Sequence, residues 1–103
     1  MTTPALQLQL NWDDPATGEP RNPVLSLPIA LGREFARMPE TLDGQRVSRI
    51  VLDSGEVSRF HVLIRSESSG IMAVDQNSSN GTLVNGTRQA QMTLANGDTL
   101  GIG

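Results

Sequence analysis

Residues 75–86 read Asp-Gln-Asn-Ser-Ser-Asn-Gly-Thr-Leu-Val-Asn-Gly and are the most informative stretch of the chain. They contain two Asn-Gly steps, two adjacent serines and a short β-type run between the steps. An Asn-Gly pair flanked by β-type residues predicts a tight hairpin, because both residues tolerate positive φ. The small hydrogen-bonding side chains before Thr82 favour a loop that holds a polar group.

The composition limits the class of protein. The chain has 103 residues, of which 37% are hydrophobic, so we expect a single domain over residues 1–103. Cysteine is absent, which excludes a disulfide framework and a thiolate metal site. A net charge of −3 argues against nucleic-acid or anionic-membrane binding. No apolar run is long enough to span a membrane and no signal peptide is visible, so we expect a cytoplasmic protein.

All eight basic residues are arginine. The planar guanidinium fork suits bidentate contacts with a carboxylate or a phosphate. Compositional bias is the better explanation for most of these arginines. The absence of lysine excludes a phosphate-binding loop of the Gly-Lys-Ser/Thr type and any Schiff-base chemistry.

Alternating apolar and polar residues predict strands over 6–12, 25–31 and 60–65. Pro28 interrupts the second run and predicts a sheet edge or a bulge there. Residues 34–47 are irregular, with room for one short helical turn. Further short strands are predicted at 49–52, 71–74, 82–84, 91–94 and 98–102. Many short strands separated by Gly, Asn, Pro and Ser predict an all-β sandwich.

Five short motifs occur in order along the chain. They are Gly32-Arg33, Ser58-x-x-His61, Ser78-Ser79-Asn80-Gly81-Thr82, Asn85-Gly86 and Gly97-Asp98. Each motif alone is weak, but in this order they resemble the forkhead-associated (FHA) domain family, whose members recognise phosphothreonine peptides. The resemblance covers residues 31–103. It implies a sandwich of two twisted antiparallel sheets whose loops at one end bind a phosphopeptide on a partner protein.

The resemblance also implies roles for individual residues. Arg33 and Ser58 match residues that contact the phosphate, and Arg59 is a further candidate phosphate ligand. Ser79 matches a position that touches the phosphate or shapes its pocket, while Asn80 matches the residue that bonds the peptide backbone. The positions implied to be structural are Gly32, His61, Gly81, Asn85 and Gly86. The resemblance implies no cofactor.

The chemistry of phosphothreonine agrees with this set of side chains. The modified residue carries about −1.5 to −2 charges and three acceptor oxygens at neutral pH. Arg33 and Arg59 supply guanidinium donors, and Ser58 and Ser79 supply hydroxyl donors. A hydrogen bond to a charged group contributes about 1.5–3 kcal/mol.

Two other interpretations remain open. The same fold can serve as a phospho-independent assembly module. A hydrolase would need a triad built from Ser58 or Ser79, His61, and Asp75 or Asp98, and triads are recognised by geometry alone. The sequence supplies no nucleophile elbow, so we expect a non-catalytic module in which His61 is structural. One histidine without cysteine does not form a metal-binding motif.

The chain departs from the family pattern in three places. The segment from Arg33 to Ile50 is longer than usual, and Ser48-Arg49 stands where an Asn-Asp-type pair often occurs. Family members also continue past Gly103 with one more strand, so we expect the final strand to be missing from this sequence. An unpaired strand edge would favour self-association by strand addition.

Overall fold

The computed structural model describes residues 6–102, so the predicted domain limits, Met1 and Gly103, lie outside the described range. Within that range the chain is almost entirely β structure, with one short 3-10 helix at Phe35–Arg37. No helix of residues 6–102 is long and apolar enough to cross a membrane. The strands, in chain order, are β1 (Gln7–Gln9), β2 (Trp12–Asp13), β3 (Pro20–Arg21), β4 (Val24–Ser26), β5 (Ile29–Gly32), β6 (Thr41–Leu42), β7 (Gln45–Arg46), β8 (Ser48–Val51), β9 (Val62–Glu67), β10 (Gly70–Asp75), β11 (Thr82–Val84), β12 (Thr87–Arg88), β13 (Gln91–Leu94) and β14 (Leu100–Ile102).

The larger layer is a five-stranded sheet in the order β13-β10-β9-β5-β8. Strand β5 pairs antiparallel with β9 and parallel with β8, with Ile29 opposite Ser48 in the parallel pair. The sheet is therefore mixed, whereas the resemblance implied antiparallel sheets. A parallel pair needs a long crossover connection, and residues 33–47 provide it.

The second layer packs on one face of this sheet and consists of the pair β1-β4 and the three-stranded sheet β12-β11-β14. Apolar side chains at alternate positions of β5 and β9 form the core between the layers. The buried members of that core are Leu27, Ile29, Leu31, Val62, Ile64 and Ala73. Leucines of β1 and β4 and both apolar residues of β14 pack against it, which confirms the predicted β-sandwich.

The long segment before β8 covers the opposite face of the five-stranded sheet. Ala30 and Leu63 of the sheet form a second buried cluster with Met38 and Val47 of this segment. The segment contains the predicted helical turn. It also contains the hairpin β6-β7, which was not predicted from the sequence. Its turn is Asp43-Gly44, with φ of 51° and 79°. An Asp-Gly pair is a hairpin signal, so the residues that could have predicted this turn were present.

The prediction for Pro28 was only partly right. The run over 25–31 does break there, but β5 lies in the middle of its sheet and not at an edge. The chain instead passes from the smaller layer to the larger one at the cis Leu27-Pro28 peptide. The predicted strand over 6–12 likewise divides into β1 and β2, which join different partners.

Several strand edges are free in the described part of the chain, and two of them adjoin the same groove. Strand β14 pairs only with β11, and β1 pairs only with β4. A groove of about 630 Å³ is lined by residues adjoining both strands, including Leu10 beside β1 and Leu100 in β14. Its apolar lining also includes Leu31 and Leu52.

The Asp75 carboxylate organises the loop that follows β10. It accepts hydrogen bonds from the hydroxyls of Ser78 and Thr82 and from the Ser78 N–H at 3.0 Å. Partial burial acts to raise the pKa of Asp75, but these hydrogen bonds to the charged form outweigh it and hold the pKa below its ordinary value. The ionised carboxylate therefore stabilises the loop.

We predict that Gly32→Ala destabilises the fold. A β-carbon at Gly32 would overlap the carbonyl oxygen of Arg59 and lie 3.0 Å from its carbonyl carbon, so one backbone segment would have to move. The expected loss is about 1–3 kcal/mol of unfolding free energy, measured by urea denaturation. The matched control is Gly55→Ala, where an added β-carbon meets no atom within 4 Å. Equal stability of the two variants would contradict this role of Gly32.

We predict that Asp75→Asn destabilises the protein by about 1–3 kcal/mol at neutral pH, because the amide cannot accept all of these hydrogen bonds. The pKa of Asp75 is lower in the folded state, so its contribution is fully present above the unfolded value of 3.8. That contribution is lost as pH falls through the lowered folded value. Unfolding measured between pH 7 and pH 2 should therefore show the parent converging on the variant at acid pH. A stability difference that stays constant with pH would contradict the assignment.

Candidate functional site

Strand direction brings three segments to one end of the larger sheet. Because β9 is antiparallel to both β5 and β10, the end of β5 lies beside the start of β9 and the end of β10. Residues after Gly32, before Val62 and after Asp75 therefore meet, although they are distant in sequence. These segments contain every residue predicted to bind the phosphate or the peptide.

The His61 side chain links two of these loops by hydrogen bonds. Its ring is fully buried, and its Nδ1 accepts a hydrogen bond from the Ser58 N–H at 3.0 Å. Its Nε2 lies 2.8 Å from the Gly81 carbonyl oxygen, to which it donates. The His61 backbone adds a bond to Leu31 and accepts one from Gln76. One side chain thus fixes the positions of the 55–61 and 76–81 loops relative to each other.

The two loops also contact each other directly at their exposed ends. The Ser58 hydroxyl oxygen accepts a hydrogen bond from the Ser79 N–H at 3.0 Å. The Asn80 side-chain amide donates to the Glu56 carbonyl oxygen at 2.8 Å. Because the Ser58 oxygen acts as the acceptor in its contact, its own O–H remains free to donate to a ligand. Asn80 likewise retains its amide oxygen and a second N–H.

Gly32 and Arg33 place a guanidinium beside this pair of loops. The Arg33 N–H donates to the Ser58 carbonyl at 3.0 Å, and the Glu34 N–H donates to the Arg59 carbonyl at 3.1 Å. These bonds require close approach of the two backbones, which the missing side chain of Gly32 allows. The Arg33 side chain is exposed and has no acidic partner within 4.0 Å among residues 6–102.

Arg59 differs from Arg33 because it already has a partner. Its Nε lies 3.7 Å from a Glu34 carboxylate oxygen, and the same oxygen lies 3.6 Å from the Arg37 Nε. All three side chains are largely exposed, so each pair contributes little to stability. The Glu34 carboxylate does, however, offset part of the positive charge at this end of the sandwich.

The five residues predicted to bind ligand line one open cleft of about 320 Å³. The cleft is bounded by Arg33, by residues 55–60 and by the 76–80 loop. Its lining includes Ser58, Arg59, Ser79 and Asn80. It also includes residues that were not predicted from the sequence, among them Glu56 and Gln76. No motif distinguished Glu56, Gln76 or the nearby Glu34, because their proximity depends on strand pairing.

The catalytic triad considered from the sequence is not assembled here. Both ring nitrogens of His61 bond to backbone groups, and neither contacts a serine hydroxyl. The Asp75 carboxylate instead accepts hydrogen bonds from the hydroxyls of Ser78 and Thr82. The arrangement places His61 in a bracing position beneath the loops.

The remaining predicted structural residues lie in a turn or a loop. Asn85 and Gly86 form the turn between β11 and β12, with φ of 51° and 82°. The Asn85 amide donates to Asp98 at 3.0 Å, which lowers the pKa of Asp98 below its ordinary value. Gly81 has a φ of 80°, and an added β-carbon would collide with the side chain of Arg88.

Comparisons with known proteins identify the family to which this fold belongs. The family model described as FHA domain matches residues 29–103. A search of curated protein sequences found no match. The FHA-2 domain of the Mycobacterium tuberculosis ABC transporter Rv1747 is 30% identical with a TM-score of 0.56, and the match covers 74% of this chain and 60% of that one.

Two further solved structures contain bound partners. Mycobacterium tuberculosis EmbR in complex with a low-affinity phosphopeptide is 27% identical with a TM-score of 0.61, and the match covers 95% of this chain but 22% of EmbR. The FhaA FHA domain complexed with the intracellular domain of Rv3910 is 29% identical with a TM-score of 0.57, covering 87% of this chain and 86% of that one. The chain therefore spans less than two thirds of the Rv1747 and EmbR structures. The family model, the sandwich and the ordered loop residues together place the chain in the FHA domain family.

Proposed function

We propose that this chain is a non-catalytic interaction module that binds phosphothreonine-containing peptides of partner proteins in the 320 Å³ cleft. The observation that carries the proposal is the convergence of a free guanidinium with two serines in one braced cleft. Arg33 supplies the guanidinium, and Ser58 and Ser79 supply hydroxyl donors. The EmbR structure, which contains a phosphopeptide, supports the choice of ligand.

The phosphate would be held mainly by charge-assisted hydrogen bonds. Arg33 has no acidic partner within the described residues, so it can form a bidentate contact without breaking an ion pair. Ser58 accepts from the Ser79 N–H and can direct its own proton to a phosphate oxygen. The imidazole bonds of His61 fix this geometry before ligand arrives, which lowers the entropy cost of binding.

Asn80 would form hydrogen bonds with the peptide backbone. Its amide nitrogen already bonds to the Glu56 carbonyl, which orients the side chain at the edge of the cleft. The free amide oxygen can accept a peptide N–H, and the second amide hydrogen can donate to a peptide carbonyl. Such contacts are independent of the ligand's sequence, so they would hold many peptides in the same position.

The direct test is calorimetry with one peptide in three forms: phosphothreonine, phosphoserine and unmodified threonine. We expect the phosphothreonine form to bind most tightly and the unmodified form not to bind. Arg33→Ala should weaken binding about tenfold or more, since a charge-assisted hydrogen bond contributes about 1.5–3 kcal/mol. The control is Arg46→Ala, which removes another exposed arginine without an acidic partner in the described range.

Two outcomes would contradict this proposal. Equal affinity for the phosphorylated and unmodified peptides would exclude phosphate recognition. If Arg33→Ala bound the phosphopeptide as tightly as the parent, the role of Arg33 would be wrong. Partner binding that survives Arg33→Ala and needs no phosphate would favour the phospho-independent assembly module.

We also predict opposite effects from the two members of the Glu34–Arg59 pair. Arg59→Gln should weaken phosphopeptide binding severalfold, because it removes a positive charge beside the cleft. Glu34→Gln should strengthen binding about two- to fivefold, since it removes a carboxylate that competes with phosphate for Arg59. Glu40→Gln is the control for the change in net charge. No change in affinity for either variant would mean that Arg59 takes no part in binding.

A second proposal concerns the free edges of β1 and β14. We infer that these edges favour self-association by strand addition, because each presents unpaired backbone groups beside the 630 Å³ groove, whose lining includes Leu10 and Leu100. Sedimentation equilibrium over a wide concentration range should show the average mass rising with protein concentration. A mass that stays at that of the monomer throughout would contradict it.

A further inference from the structure

The arginines of this chain fall into three groups by their partners in residues 6–102. Arg21, Arg37, Arg59 and Arg65 form ion pairs with acidic side chains. Arg49 lies over the Phe35 ring, 3.7 Å from its centroid. The arginines with neither kind of partner in this range are Arg33, Arg46 and Arg88. Although the chain has a net charge of −3, these three positive charges have no acidic side chain beside them in the described range.

Arg88 lies directly against the loop that carries Asn80. It belongs to β12 and is exposed, and it sits opposite Leu83 in the hairpin. A β-carbon added at Gly81 would meet the Arg88 guanidinium carbon at 2.7 Å, so the guanidinium covers the face that Gly81 leaves open. Consecutive Cα atoms are about 3.8 Å apart, which places this guanidinium within about 8 Å of the Asn80 Cα.

Arg88 does not line the phosphate cleft, although Asn80 does. The two free guanidinium groups of Arg33 and Arg88 are therefore both near the loop, one within the cleft and one outside it. An extended peptide advances about 3.3 Å per residue, so a ligand that leaves the cleft past Asn80 would reach Arg88 within a few residues. Nothing in this geometry requires Arg88 to touch the phosphothreonine itself.

We propose that Arg88 forms a second anion-binding position, which accepts a carboxylate or a further phosphate on the same peptide. The inference rests on the proposed phosphopeptide function and adds a sequence preference to it. A guanidinium offers a planar pair of donors that matches either anion. The ligand is thus an acidic phosphopeptide whose second negative charge lies a few residues from the phosphothreonine.

The test uses an alanine-based peptide with one phosphothreonine and one aspartate moved through the four positions on each side. The reference at each position is asparagine, which has the same shape without the charge. We expect a gain of about two- to fivefold for aspartate at one or two adjacent positions, the size of an exposed ion pair. Phosphoserine at the same positions should give a larger gain. High salt should reduce both gains.

Three variants separate the local contact from the general effect of charge. Arg88→Gln should abolish the gain while keeping the affinity for the asparagine peptides. Arg88→Glu should reverse the preference, so that lysine is favoured over aspartate at the same positions. Arg46→Gln makes the same charge change elsewhere and should leave the gain intact.

The outcomes that overturn this proposal differ from those that overturn the phosphopeptide function. Phosphopeptides that bind the parent with no aspartate preference at any position would exclude the Arg88 position alone. So would a preference that survives Arg88→Gln, or one that Arg46→Gln removes equally. If no phosphopeptide bound the parent, both proposals would fail together.

Discussion

The pair of hydrogen bonds made by the buried His61 ring is the interaction on which the loops around the 320 Å³ cleft depend. One ring nitrogen accepts from Ser58 and the other donates to the Gly81 carbonyl, so the two loops cannot move independently without leaving buried polar groups unpaired. The Ser58–Ser79 and Asn80–Glu56 contacts then form at the surface with defined geometry. A site on loops thereby becomes nearly as fixed as one on strands.

The long segment before β8 covers the second face of the same sheet. The first core covers only one face, and β5 is buried on both. Met38, Leu42 and Val47 of this segment pack on Ala30 and Leu63 on the other face. This segment also makes the crossover that the parallel β5-β8 pair requires. This segment thus supports β5, the strand that leads into Arg33, and hence the cleft.

Electrostatics at this end of the sandwich is a matter of individual pairs rather than of net charge. The chain as a whole is acidic, but Arg33 is unopposed within the described residues while Arg59 shares Glu34 with Arg37. Before any ligand binds, a carboxylate therefore offsets part of the positive charge of Arg59, whereas no carboxylate in the described residues does so for Arg33. Only the distances between side chains reveal this difference, because Glu34 adjoins Arg33 in sequence yet pairs with Arg59 and Arg37.

By itself the sequence determined the β class, most strand positions, the Asn85-Gly86 turn and five of the residues that line the cleft. These features are local, since they follow from alternation and from residues that favour positive φ, or are carried by short ordered motifs. Tertiary structure decided the parallel β5-β8 pair, the change of sheet at Pro28, the ion pair of Arg59 and the position of Arg88 against Gly81. Those features depend on which distant strands lie side by side. No local pattern encodes that choice, because it is settled by how the whole core packs.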